Sequence, residues 1–117
     1  MMKFRRGDVV LVLFPNSDLR TAKRRPALVV QRADLNNGLP QFIVAMISSN
    51  LDRRNHASRI FVRRDSPEGK AAGLLLDSVV MTDNLATILE TEIDLILGAL
   101  PDMKPVDAAL KHTLALN

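Results

Sequence analysis

The feature that most constrains this chain is a succession of short apolar, β-branched runs separated by turn material at roughly ten-residue intervals. Residues 9–14 (Val-Val-Leu-Val-Leu-Phe) are apolar throughout, the pattern of a strand covered on both faces. Pro26 precedes a second run over 27–31, and Asn36-Asn37-Gly38 leads into a third over 41–47. Runs at 58–63, 74–81 and 85–89 supply a fourth, fifth and sixth strand. Short strands at this spacing predict a mainly β fold, a small antiparallel barrel or sandwich. The end of the chain differs. Over 102–114, a capping Asp102, Pro105 in the first turn and apolar residues at 103, 106, 110 and 114 predict a helix with one stripe toward the core. The stretch 90–100 is ambiguous and has room for one helical turn followed by a short strand through Gly98-Ala99-Leu100.

Length and composition narrow the function classes. The 117 residues fit one domain spanning 1–117, with no linker or repeat to divide it. The absence of cysteine excludes disulfides, Cys-ligated zinc and thiol catalysis. With four Phe and no Trp or Tyr, a stacked-aromatic platform for bases is nearly excluded as well. His56 and His112 lack carboxylates at metal-ligand spacing, so neither metal nor cofactor is predicted. The apolar run at 9–14 is too short for a membrane span or a signal sequence, which predicts a cytoplasmic protein with no membrane partner.

The net charge of +3 is modest, but its distribution is uneven. Arg20, Lys23, Arg24 and Arg25 fall in the loop predicted between the first two strands. Arg53, Arg54, His56, Arg59, Arg63 and Arg64 bracket the fourth. Loops of a small barrel gather on one side, so both groups could border one groove for a phosphate backbone. Solvated loop charge is the alternative reading. Ser48-Ser49-Asn50 and Asp83-Asn84 close predicted strands, where turn chemistry is the common role of such residues.

In order, Gly7-Asp8-Val9-Val10-Leu11-Val12, Phe14-Pro15, a basic loop and Arg25-Pro26-Ala27-Leu28-Val29-Val30 make a specific block. Looser blocks follow at 44–50 (Val-Ala-Met-Ile-Ser-Ser-Asn) and 83–88 (Asp-Asn-Leu-Ala-Thr-Ile), then a Gly-x-Leu before the final helix. From about 5 to 115 the chain resembles the MazF/PemK (Kid) family of toxin–antitoxin endoribonucleases. That resemblance implies an SH3-like barrel with a C-terminal helix and a homodimer. It also implies metal-free cleavage of single-stranded RNA and an acidic, partly disordered antitoxin as partner. The family's arginine before the proline falls on Arg25, its threonine on Ser48 and its aspartate on Asp83, with Asn84 replacing a glutamine. Met81 and Ala86 stand where relatives often carry arginine, so no arginine is supplied beside Asp83 from those positions.

On this reading Arg25, Ser48 and Asp83 are the catalytic candidates, with Asp83 or His56 as proton acceptor. Arg20, Lys23, Arg24, Ser49, Asn50, Arg53, Arg54, His56 and Asn84 are the RNA-binding candidates. Metal-free cleavage uses the substrate's 2′-hydroxyl as nucleophile, and the enzyme must stabilise charge gathering on the phosphoryl oxygens. A guanidinium suits that task, a fixed and always charged fork. Two other classes stay open: a CcdB-like gyrase-binding poison that cleaves nothing, and a degenerate relative that keeps antitoxin binding alone.

Overall fold

A computed structural model describes residues 4–16 and 18–117, apart from the side chains of Phe14 and Pro15 in the first quoted block. Six strands form one antiparallel sheet: β1 Asp8–Pro15, β2 Ala22–Val29, β3 Gln41–Ser48, β4 Arg59–Val62, β5 Ser78–Leu89 and β6 Ile93–Ala99. Their spatial order is β4-β5-β3-β2-β1-β6. Two helices, α1 Pro67–Ala71 and α2 Lys104–Leu114, and 3-10 turns at Leu51–Arg53 and Glu90–Glu92 complete the fold.

Period-two alternation divides the apolar residues between the two faces of the sheet. Val10, Val12, Ala27, Val29, Val44, Met46, Val79 and Met81 join Phe4, Phe42 and Ile88 in one core. Their neighbours Val9, Leu28, Ala45, Ile47 and Val80 point the other way, into a second core with Ala72, Leu74, Leu100 and Val106. The central strands are therefore covered on both sides, as the unbroken run at 9–14 predicts. Each such fully buried Val or Leu contributes about 1.5–3 kcal/mol. On α2, Val106 and Ala109 are buried and Met103 and Leu110 pack against the second core, whereas Leu114 is exposed. Asp102 Oδ1 accepts from the Lys104 amide, but the cap position of α2 is Met103, which makes no side-chain capping bond, so Asp102 sits one residue ahead of the predicted cap.

The structure corrects three boundaries. Lys23, Arg24 and Arg25 lie on β2, not in the loop before it, because β1 continues to pair through Phe14 opposite Lys23. The predicted fifth and sixth strands are one, β5, and its turn-like Thr82-Asp83-Asn84 is a bulge: Met81 faces Met46, while the next paired residue, Leu85, faces Ala45. Residues 74–76 lie ahead of that strand, with Leu75 84% exposed. They follow α1, which the sequence reading left as turn material. Ser66 caps that helix through the Gly69 amide and Pro67 opens it. Gly73 ends the segment at φ +70°, against the Leu97 carbonyl of β6, where a Cβ would sit 2.1 Å from that oxygen. The ambiguous stretch resolves into the second 3-10 turn and β6.

Candidate active site

The site begins where β2 and β3 come apart. Their ladder runs Val29–Val44, Leu28–Ala45, Ala27–Met46 and then stops. The next residue of β2 is Pro26, which has no amide hydrogen to continue it. Two further steps in the same register would place Arg25 opposite Ser48. Both line the cleft that opens there, a cavity of about 520 Å³. Its walls also carry Lys23, Arg24, Ser49, Asn50 and Arg53, and residues 73–76 complete the lining with others. That lining holds four cationic side chains and no carboxylate.

A second cavity of about 660 Å³ adjoins the first and is more polar, lined by Asn16, Asp18, Thr21 and Asn84 among others. Arg25, Met46 and Arg53 line both and form the wall between them.

Arg25 is held by a relay of hydrogen bonds from the β1–β2 turn. Its Nη2 donates to Asn16 Oδ1 at 2.9 Å. Asn16 Nδ2 donates to Thr21 Oγ1, and that hydroxyl donates to the Asp18 carboxylate. Asp18 also accepts from the Arg20 and Thr21 amides, which keep its carboxyl below the usual carboxylate range, Arg20 contributing most. The acceptor that orients Arg25 is thus a neutral amide, and the guanidinium keeps its charge available. Its Nε is buried without a hydrogen-bond partner, leaving one donor unsatisfied at the site. Ser48 is buried, and its Oγ accepts from the Asn50 amide at 3.1 Å, so the hydroxyl proton is left to donate.

Asp83 is not brought to this cleft and lines neither cavity. Within the β5 bulge consecutive residues diverge: Thr82 turns to the Ser58 carbonyl, Asp83 to β4, and Asn84 to Met46 Sδ. Arg59 of β4 binds Asp83 through Nη2 at 2.8 Å and Nε at 3.4 Å. This pairing, above all the Arg59 hydrogen bond, lowers the Asp83 carboxyl below its ordinary range, which makes it a poor proton acceptor.

His56 also lines neither cavity; its Nδ1 lies 2.7 Å from Ser58 Oγ. Arg54 stands over the Phe61 ring and donates to the Leu51 carbonyl, and Arg20 is exposed on the turn. Arg24 reaches the cleft but also pairs with Asp94 at 3.1 Å. The sequence reading did not single out Asn16, Thr21 and Asp18, although the Asn-x-Asp pattern ahead of the basic run is an Asx-turn signal.

Curled antiparallel strands, a C-terminal helix packed on the sheet and a cationic cleft at a strand split define a small barrel-type β-protein suited to an anionic ligand. Residues 5–114 match the family described as PemK-like, MazF-like toxin of type II toxin–antitoxin system. The chain belongs to that family. No curated protein matches in sequence. Solved structures share the fold. The Mycobacterium tuberculosis toxin MazF-mt6 is 23% identical with a TM-score of 0.74, over 94% of this chain and 98% of that one. A mycobacterial endoribonuclease in complex with its cognate antitoxin is 20% identical with a TM-score of 0.74, over 97% of each chain. MazF from Deinococcus radiodurans is 19% identical with a TM-score of 0.70, again over 97% of each. Among the described residues no helix is long and apolar enough to cross a membrane.

Proposed function

We propose that this chain is a metal-independent endoribonuclease toxin that cuts single-stranded RNA and is neutralised by an acidic antitoxin. The observation that carries the reading is Arg25, oriented by a neutral amide and lining a cleft whose charged side chains are all cationic. Family membership and a structural neighbour named as an endoribonuclease in complex with its cognate antitoxin support it.

In the proposed reaction the ribose 2′-oxygen attacks the adjacent phosphorus and the bond to the 5′-oxygen breaks. A 2′,3′-cyclic phosphate and a 5′-hydroxyl result. Arg25 meets the charge that gathers on the phosphoryl oxygens, and Ser48 donates one further hydrogen bond to them. The 2′-hydroxyl proton leaves to a solvent base and the 5′-oxygen takes one from water, because neither Asp83 nor His56 lines the cleft. Lys23 and Arg24 hold flanking phosphates, and Ser49, Asn50 and Asn84 offer polar contacts to bases. The cationic lining also fits an acidic antitoxin segment that orders as it binds. The protein works as a cytoplasmic homodimer.

The test is incubation of the purified chain with mixed-sequence RNA in EDTA and analysis of the new ends. Cyclic phosphate and 5′-hydroxyl ends are expected, with Arg25→Ala folded and slower by at least about 10²–10³. Unchanged cleavage by Arg25→Ala overturns the assignment. Absence of cleavage together with topoisomerase inhibition would select the gyrase-binding class instead.

A further inference from the structure

Arg53 stands with Arg25 on the wall shared by the two cavities, yet it comes from a separate part of the chain. Its guanidinium is exposed, and among the described residues no carboxylate lies within ion-pair distance of it. Nη1 rests 3.7 Å from Met81 Sδ, so an uncharged floor lies beneath it.

The backbone that carries Arg53 is fixed from both ends. Upstream, Ser48 Oγ accepts from the Asn50 amide, and Asn50 Oδ1 caps the 3-10 turn through the Asp52 amide. Downstream, Arg59 Nη1 donates to the Arg53 carbonyl at 3.0 Å, while the same guanidinium is gripped by Asp83. A single side chain thus spans from the β5 bulge to the residue at the cleft.

We propose that Arg53 is a second guanidinium acting on the scissile phosphate, and that the Asp83–Arg59 pair is the brace that positions it. The inference rests on the ribonuclease reading and deepens it. Arg53 contacts the reacting group beside Arg25, with one nucleotide in each flanking cavity. Asp83 and Arg59 act through the Arg53 backbone and touch no substrate. A carboxylate tied to a guanidinium serves this role better than proton transfer, and its lowered pKa agrees.

The experiment compares wild type, Arg53→Met, Arg53→Lys, Asp83→Asn and Arg59→Met, with Arg25→Ala as control. Two quantities are read: kcat and KM on a fluorogenic single-stranded RNA in EDTA across pH, and the salt dependence of binding to the same oligonucleotide carrying 2′-deoxyribose at the cut. Circular dichroism checks folding, and Arg59→Lys replaces Arg59→Met should the latter unfold. Arg53→Met should lower kcat by about 10²-fold, as loss of one such donor does, and reduce the salt slope by about 0.7, one phosphate contact. Arg53→Lys should recover part of both. Asp83→Asn and Arg59→Met should lower kcat about tenfold through lost positioning, with an unchanged pH profile.

Wild-type kcat and salt slope in Arg53→Met, with Arg25→Ala still inactive, overturn the Arg53 assignment alone. Loss of the acidic limb in Asp83→Asn overturns the brace, since it would make Asp83 the proton acceptor. Wild-type cleavage by Arg25→Ala sinks the underlying reading. Should the wild type bind RNA without cutting, an unchanged salt slope in Arg53→Met overturns the phosphate contact; should it bind none, both readings fall.

Discussion

Replacing Asn16 separates two things its side chain does for Arg25: holding the guanidinium in place and leaving its charge unspent. Asn16 Oδ1 lies 2.9 Å from Arg25 Nη2, and Arg25 Nε has no partner of its own. Asn16→Ala removes the hydrogen bond without adding charge. One such bond is worth about 0.5–1.5 kcal/mol, so kcat/KM should fall about 2–10-fold. Asn16→Asp keeps an oxygen at the same place but makes it an anion. Two unit charges about 4 Å apart attract by about 4 kcal/mol at an effective dielectric of about 20. Solvent access at this cleft reduces that to about 1–2 kcal/mol. A substrate phosphate must compete with that carboxylate, and a further loss of about 5–30-fold is expected at about 1.4 kcal/mol per decade.

Asn16→Asp also removes the donor to Thr21 Oγ1, whose single proton already goes to Asp18, so it gains no net stability from the new ion pair. The expected order is wild type, Asn16→Ala, Asn16→Asp and then Arg25→Ala, in a fluorogenic cleavage assay with melting temperatures measured in parallel. Asn16→Asp cleaving as fast as Asn16→Ala, both folded, would show that the free charge of Arg25 is not what the reaction uses.

Three further outcomes follow from the same geometry. Ser48→Thr should retain at least about half the activity because the hydroxyl persists, whereas Ser48→Ala, which also deprives the Asn50 amide of its acceptor, should lose about tenfold or more; a collapse in the threonine variant would refute the hydroxyl's role. Gly98→Ala would put a Cβ 2.3 Å from the Ala71 carbonyl oxygen and 2.6 Å from the Ala72 carbonyl carbon. Overpacking against backbone should cost about 1–3 kcal/mol, read as a lower urea midpoint, and an unshifted midpoint would contradict the packing of α1 on β6. The Asp83 carboxyl is held below its ordinary range by Arg59, so its contribution to stability is complete above the ordinary carboxylate pKa of about 4. That contribution is lost as pH falls through that value and then the lower folded one. The stability gap between wild type and Asp83→Asn should therefore shrink between pH 6 and pH 3; a constant gap would mean that the ion pair is not its source.

Hydrophobic runs located the strands because each needs only its own residues to announce itself. Arg25 came from the family resemblance and was expected in a loop; the structure sets it on β2 at the cleft, beside the Pro26 where the ladder loses a donor. What the sequence hid depended on partners far along the chain. Asp83 follows a strand-like run, and nothing local says that a bulge at 82–84 turns it toward a residue 24 positions earlier. A bulge breaks the period of two on which facing is predicted, so the side assigned to every residue within it is arbitrary until the partner strand is known. The same cause merged two predicted strands into β5. The five-residue α1 is too short for helical periodicity to show, and its only trace was the Ser-Pro pair at its start.

Net charge says little about where a polyanion would bind, because five of the eleven arginines already pair with carboxylates. Arg6 pairs with Asp107, Arg24 with Asp94, Arg32 with Asp34, Arg59 with Asp83 and Arg63 with Asp65. A guanidinium within 4 Å of a carboxylate presents little net field a Debye length of about 8–10 Å away. Arg25 and Arg53, by contrast, share one wall and have no carboxylate in ion-pair contact among the described residues. Their fields add where those of the paired arginines cancel. On the proposed reading, a phosphate approaching the sheet is drawn to the split between β2 and β3, where the ladder ends and the cleft opens. Adding one carboxylate there should harm RNA binding more than removing any of the paired arginines elsewhere.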